Sequence, residues 1–398
     1  MINSIFDKWK AVYVVLTVLP APILIVSTLY PFRSNANHGG DHPYLLPQSK
    51  QNDGKIKRLA IFRPFGIKSV STLIDMFSGW EDYIPCNVSM HEEENNFFNS
   101  EQHVLVDVFL SFSQSYEKVP PAQSATKRVV DDFRQNQKQT SNGWQRCINN
   151  IFTLDANIDP EVDLYLPEES QTNRMWVHGP NYQFVHGVRQ IMRLKQYDAV
   201  FVMEKDVLPV RDHWLDNLIK EAEEEEFAIL GSKYDGRMWE SFRTSLPLAL
   251  QHHINGNALY NLSHPLLEEI LNQLQEESDL PLHAVPYDYR ISQILVEGMM
   301  GVLPDLPWPI VDEWSKETGR KMKSNTKKFQ HLWKKYVKSD QRVIKESKVI
   351  TNYAGSTLLP DQIAREKASL IHGASYYTPL NKTKYVSDSI KLKFNNIL

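Results

Sequence analysis

The chain has 398 residues, 42% hydrophobic and 23% charged, a globular composition long enough for one large domain or two. A formal net charge of −4 gives no overall case for nucleic-acid binding. With two cysteines it is not a disulfide scaffold, and no internal repeat or low-complexity block is visible.

The first landmark is Ala11–Tyr30, an uncharged run of about twenty residues, enough as a helix to cross a hydrocarbon core of roughly 30 Å. Lys8 and Lys10 precede it, partly offset by Asp7, and Arg33 follows. The positive-inside tendency therefore predicts a cytosolic tail at 1–10, a transmembrane signal-anchor at 11–30 and a lumenal remainder. Pro20 and Pro22 would kink such a helix, and a cleaved signal peptide with Ala11–Leu19 as its apolar core is the alternative. Residues 31–54, rich in Pro, Asn, Gly, His and Gln without periodicity, predict a stem. The triplets Asn87-Val-Ser89, Asn261-Leu-Ser263 and Asn381-Lys-Thr383 fit N-glycosylation in a lumen. There Cys86 and Cys147 either pair or stay as two buried thiols.

From residue 55 the pattern becomes that of a folded domain. Lys55–Phe62 predicts a short strand broken by Pro64 and Gly66. Ser71–Phe77 predicts a helix with Leu73, Ile74 and Phe77 on one face, and His103–Phe112 a second strand. Val129–Thr153 reads as helix then strand, and Asp155–Pro167 as a loop. In Tyr182–Lys195 the apolar residues Phe184, Val185, Val188, Ile191 and Met192 recur at helical spacing. The helix leads into Ala199–Met203, an apolar run typical of a parallel strand buried on both faces. Such alternation is the pattern of an α/β protein with a mostly parallel sheet flanked by helices.

Downstream, Asp212 is a candidate N-cap for a helix running to about Glu225, with Trp214, Leu215, Leu218 and Ile219 as its stripe. The acidic run Glu221–Glu226 reads as the helix's solvated end. Phe227–Ser232 predicts a strand, His253–Tyr260 (HINGNALY) a Gly-Asn turn entering an apolar segment, and His264–Leu274 and Tyr287–Val296 two helices. Phe329–Val337 predicts an amphipathic helix with lysines on its polar face.

Chemistry concentrates where the run Ala199–Met203 stops at Glu204-Lys205-Asp206. Two carboxylates at a strand's end are costly to bury unpaired, and ligands of open α/β sheets bind outside the carboxyl ends of the strands. A divalent cation shared with substrate phosphates needs only one or two such carboxylates; surface acids paired with Lys205 or Arg211 are the alternative. The other candidates are Gly256 and Asn257 in HINGNALY, Asp288 at a helix start, and His372 in Ser369-Leu-Ile-His-Gly-Ala374. Trp176, Tyr182, Trp239 and Trp308 are either core or stacking residues.

The order of these parts, over roughly residues 55–375, resembles the GT-A class of nucleotide-sugar glycosyltransferases, type II membrane enzymes of the secretory pathway. The resemblance implies a Rossmann-like GT-A fold with a nucleotide-binding half at 55–206 and an acceptor half with C-terminal helices at 207–398. It also implies a single-pass Golgi protein anchored through Ala11–Tyr30. The activity implied is that of a hexosyl- or pentosyltransferase moving a sugar from a nucleotide diphosphate, a UDP-sugar, to a hydroxyl of a glycan or glycoprotein with inversion. Asp206 would be the main ligand of Mn²⁺ or Mg²⁺, with Glu204 on the ribose or a metal-bound water and His372 completing the shell. Gly256 and Asn257 would shape the sugar-binding turn, and Asp288, with an elevated pKa, would be the general base. The chain departs from the usual acid motif in having Glu first and Lys205 in the middle, which keeps alive a membrane-tethered glycan-binding protein with a degenerate transferase fold. A glycosidase would also use paired carboxylates, but it would not explain the strand-terminal acids or the late His.

Overall fold

The computed structural model describes residues 55–87, 104–139, 143–166, 175–233, 253–276, 286–302, 344–352 and 368–372. All lie within the compact unit Gln48–Leu398. The expected tail, anchor and stem at 1–54, the Phe329–Val337 helix, Trp239, Trp308 and Asn381 lie outside the described residues. Among the described residues no helix is long and apolar enough to cross a membrane.

The short apolar runs form β1 (Arg58–Phe65), β2 (Leu105–Phe112), β3 (Asn150–Asp155), β4 (Ala199–Val202), β5 (Leu208–Pro209), β6 (Ile229–Lys233), β7 (Ile254–Asn261), β8 (Ile344–Glu346), β9 (Ile350–Asn352) and β10 (Leu370–His372). The helices are α1 (Ser78–Asp82), α2 (Pro120–Gln139), α3 (His178–Leu194), α4 (Trp214–Glu224), α5 (Pro265–Glu276) and α6 (Tyr287–Val302). Seven strands make one sheet in the order β3-β2-β1-β4-β7-β6-β8, in which only β7 runs against the others. The remaining three form a small sheet, β5-β10-β9.

Alternation along the strands sends side chains to two cores, as the pleat requires. Leu59 and Ile61 of β1 join Phe201, Leu110, Trp214 and Leu218 on one face. Ala60 and Phe62 join Val200, Val202, Phe184 and Val188 on the other. Covered on both faces, the central strands read as continuous apolar runs, which is why β4 was legible. Helix α3 lies so close to β1 that a Cβ on Gly187 would meet the Phe62 ring at 2.3 Å. At the N-terminal edge of the sheet, buried Asp107 accepts from Arg58 Nη2 (2.7 Å), Tyr197 Oη (2.8 Å) and Asn149 Nδ2 (2.9 Å). That network closes one edge with satisfied charge and leaves the carboxyl edge for chemistry.

Several expectations need correction. Pro64 does not end β1, which continues to Phe65 and pairs Pro64 with Ser111. By then the ladder to β4 has stopped at Phe62–Val202, so the missing N–H costs β1 nothing on that side. Ser71–Phe77 is not one helix but parts of two 3₁₀ turns, Ile67–Thr72 and Ile74–Phe77, and Ile74 is exposed. Asp212 does not cap α4: His213 holds the N-cap position at φ 59°, and Asp212 Oδ1 instead accepts the Ile84 N–H at 2.8 Å. From Ile254 on, HINGNALY is strand β7, with no turn at Gly256 or Asn257. Asn261 donates through its amide to Phe227 O, so that sequon's nitrogen is already engaged. Cys86 and Cys147 form a disulfide.

Candidate metal centre

The centre is assembled at the carboxyl end of β4, from four stretches far apart in sequence. Beyond Val202 the chain leaves the main sheet through Met203 and Glu204-Lys205-Asp206, then pairs as β5 with β10. That antiparallel ladder sets Ile371 opposite Leu208 and Leu370 opposite Pro209. One step further in the same register sets His372 opposite Val207, next to Asp206 in the chain. His372 Nε2 lies 3.4 Å from Asp206 Oδ2 and 3.7 Å from Glu204 Oε2. Glu204, Asp206 and His372 are the group among the described residues whose ligand atoms all fall within 4.8 Å of one another.

Strand β7 supplies the second wall. Its antiparallel pairing with β4, Phe201 opposite Leu259, carries Asn257 past the end of β4 to Glu204. The Asn257 side chain is bidentate: its Oδ1 accepts the Glu204 N–H at 2.8 Å and its Nδ2 donates to Glu204 Oε2 at 3.2 Å. Asn255 Oδ1 in turn accepts from Asn257 Nδ2 at 2.9 Å, fixing the amide's orientation. Asn257 therefore aims a carboxylate from within a strand, where a sugar-contacting turn was expected.

Gly256 has a steric reason. A Cβ there would stand 2.1 Å from the Tyr287 hydroxyl, and Tyr287 is buried and stacked on Phe184 with centroids 3.8 Å apart. Tyr287 begins α6, and its N–H donates to Oδ1 of fully buried Asn181 on α3 at 2.7 Å. Asp288 is the next residue. Its Oδ2 accepts the Gly256 N–H at 3.0 Å and lies 3.1 Å from His253 Nε2, while Oδ1 accepts the Tyr289 N–H at 2.8 Å.

Charge is distributed unevenly. Desolvation first, and the Asp206 charge second, push Glu204 up to about 7. With 36% of its side chain exposed, water screens part of that repulsion. Burial opposes a charged His372, but Asp206, Glu204 and Asp288 outweigh it and raise its pKa. For Asp288, too, burial works one way and the partners win: His253 and the Tyr289 and Gly256 N–H groups hold it below the ordinary carboxylate value. The elevated pKa expected of a general base is thus overturned by three hydrogen-bonding partners.

The donor set suits a divalent cation. Two carboxylates that repel one another, beside an imidazole drawn toward protonation, are what a hard cation accepting oxygen and nitrogen would relieve. Glu204, Asp206 and His372 could hold it. Lys205, exposed and without a hydrogen bond or ion pair to either acid among the described residues, does not take a metal's place between them.

Two contributors were missed in the sequence. Arg63 is fully buried in β1, with Nη2 donating to Met76 O at 2.7 Å and Nη1 reaching Glu204 O at 3.5 Å. Burial pulls its pKa down to about 9, against the opposing pull of Asp206. A charge inside the run LAIFRPF was the available signal. His253 gave none, because a polar residue ahead of an apolar segment is commonplace. Of the aromatic candidates described, Trp176 stacks on Tyr165 and Tyr182 on His186.

Fold and site together define a mixed α/β protein with a candidate metal centre at the carboxyl edge of a mostly parallel sheet. No family model and no curated protein matches the sequence. Similar solved structures include mouse xyloside xylosyltransferase 1 in its apo form, 9% identical with a TM-score of 0.35, covering 81% of this chain and 99% of that one. The PaToxG glycosyltransferase is 10% identical with a TM-score of 0.28, over 72% of this chain and 87% of that one. TarS 1–349 of S. aureus is 10% identical with a TM-score of 0.33, over 71% and 73%. At these scores the likenesses carry no argument, and the functional reading rests on the site.

Proposed function

We propose that this protein is a metal-dependent glycosyltransferase that moves a sugar from a nucleotide diphosphate, a UDP-sugar, to a hydroxyl of a glycan or glycoprotein. The observation that carries the reading is the convergence of Glu204, Asp206 and His372 within 4.8 Å at the carboxyl end of β4. A diphosphate is the substrate group that makes best use of such a centre, because its oxygens complete a shell that the protein only half supplies. A bound Mn²⁺ or Mg²⁺ supplies positive charge for the departing diphosphate.

The chain's own residues do the rest. Asn257 and Asn255 hold the Glu204 carboxylate in one orientation, and buried Arg63 steadies the Glu204 carbonyl from below. In the transfer, the acceptor oxygen bonds to the anomeric carbon, the bond from that carbon to the diphosphate oxygen breaks, and the acceptor proton goes to Asp288. The donors around Asp288 keep it ionised at neutral pH and cost it basicity. Inversion follows from this direct displacement. The Cys86–Cys147 disulfide supports an oxidising compartment. It accords with a single-pass Golgi protein anchored through Ala11–Tyr30, with the domain in the lumen.

The test is a titration of the purified full chain with Mn²⁺ and a panel of nucleotide sugars. Metal-dependent donor binding and hydrolysis, both lost in Asp206→Ala, are expected. Glycan binding indifferent to metal and nucleotide would replace this reading with the glycan-binding protein.

A further inference from the structure

The acidic run on α4, which the proposed chemistry does not use, ties down the strand that carries His372. Asn217, Glu221 and Glu225 recur every four residues and so project along one side of α4 and its C-cap. Asn217 Nδ2 donates to Ser369 Oγ at 3.4 Å. One turn on, Glu221 accepts from Ser347 Oγ and from the Lys348 N–H, each at 2.5 Å. Another turn on, Glu225 pairs with Lys345.

These contacts continue to the centre through hydrogen bonds. Ser347 Oγ, while donating to Glu221, accepts the N–H groups of Val349 and Ile350 at 3.0 Å each, which shapes the bend between β8 and β9. Val349 O then accepts the Ser369 and Leu370 N–H groups at 2.8 and 2.9 Å, and β9 pairs with β10 from Leu370 to His372. On its other side β10 has a ladder of only two residues, to β5. So short a ladder is a poor guardian of register, and a one-residue slip would turn His372 to the opposite face.

We propose that Glu221 is a positioning residue for the metal centre, holding β9 and β10 in the register that keeps His372 beside Glu204 and Asp206. The proposal rests on the divalent-cation reading above, and its test separates the two. The full chain in detergent is titrated with Mn²⁺ and followed by electron paramagnetic resonance. Affinity comes from the free-ion signal, and histidine ligation from the ¹⁴N modulation of the bound ion. His372→Ala marks the loss of nitrogen ligation.

Glu221→Ala is expected to lose the ¹⁴N modulation while Glu204 and Asp206 still bind Mn²⁺, about tenfold more weakly than wild type. Glu221→Gln, whose single carbonyl oxygen must choose between the Lys348 N–H and the Ser347 hydroxyl, is expected to fall between. It decides the matter if the alanine variant does not fold. Retention of the modulation, with affinity within about twofold, in whichever variant folds would overturn the proposal. Should wild type bind no Mn²⁺, the metal reading fails by itself. The imidazole ¹⁵N resonances of His372 then judge the positioning: a shift in Glu221→Gln upholds it and unchanged resonances overturn it.

Discussion

Replacing Gly256 by alanine puts a methyl carbon 2.1 Å from the Tyr287 hydroxyl oxygen, 2.5 Å from Cζ and 2.9 Å from Cε2. Tyr287 cannot swing away freely, because Phe184 stacks on it and its backbone N–H is held by Asn181. Overpacking of this kind costs about 1–3 kcal/mol, and shifting Gly256 to relieve it weakens its N–H bond to Asp288, worth about 1 kcal/mol. Against this, alanine is the better strand residue by about 0.5–1 kcal/mol. The steric term wins, and a net loss of about 2–3 kcal/mol is expected. At a urea slope of about 3 kcal/mol/M this lowers the midpoint by up to about 1 M. The buried Tyr287 hydroxyl has no hydrogen-bond partner among the described residues, so Tyr287→Phe alone should be neutral or stabilising. In the Gly256→Ala background it should recover about 1 kcal/mol by removing the tightest contact. An alanine variant as stable as wild type, or a cycle without coupling, would refute this account of Gly256.

Two further outcomes follow from the same geometry. Asp288 is held below its ordinary value of 3.8, so its ionised form adds stability above that pH, and the contribution disappears as pH falls through the depressed folded value. The stability gap between wild type and Asp288→Asn should thus be full at neutral pH and shrink by about pH 3; denaturation curves showing a gap that widens in acid would contradict the assigned partners. The Cys86–Cys147 bridge spans 61 residues, for which chain entropy gives about 4 kcal/mol. The Cys86→Ser, Cys147→Ser double variant should lose about 2–4 kcal/mol in guanidinium unfolding, and an unchanged midpoint would show that the bridge constrains nothing.

By itself the sequence determined the sheet's centre and the place to look on it. Ala199–Val202 is buried on both faces, so nearly every residue of β4 had to be apolar, and the acids following it stood out against that run. Helical spacing exposed α3 and α4 for the same reason: each element's pattern is set by the one face it must bury. Where a segment is short, local preference decides less. Gly256 and Asn257 suit a turn or a strand equally, and only the pairing of Ile254 and Ala258 on either side of them with β6, and the bulk of Tyr287, made them strand. Asp288 suits a cap or a base by its place at a helix start, and the His253 and Gly256 N–H partners of its carboxylate come from across the fold. In the Glu221–Glu226 run, Glu223 to Glu226 are exposed as the sequence suggested, and only the fold shows Ser347 and Lys348 against Glu221. His372 reaches Asp206 through a two-residue ladder between segments distant in sequence. Periodicity reports what a residue buries with its neighbours along the chain; register and charge partners are chosen across the fold, and only the tertiary structure fixed those.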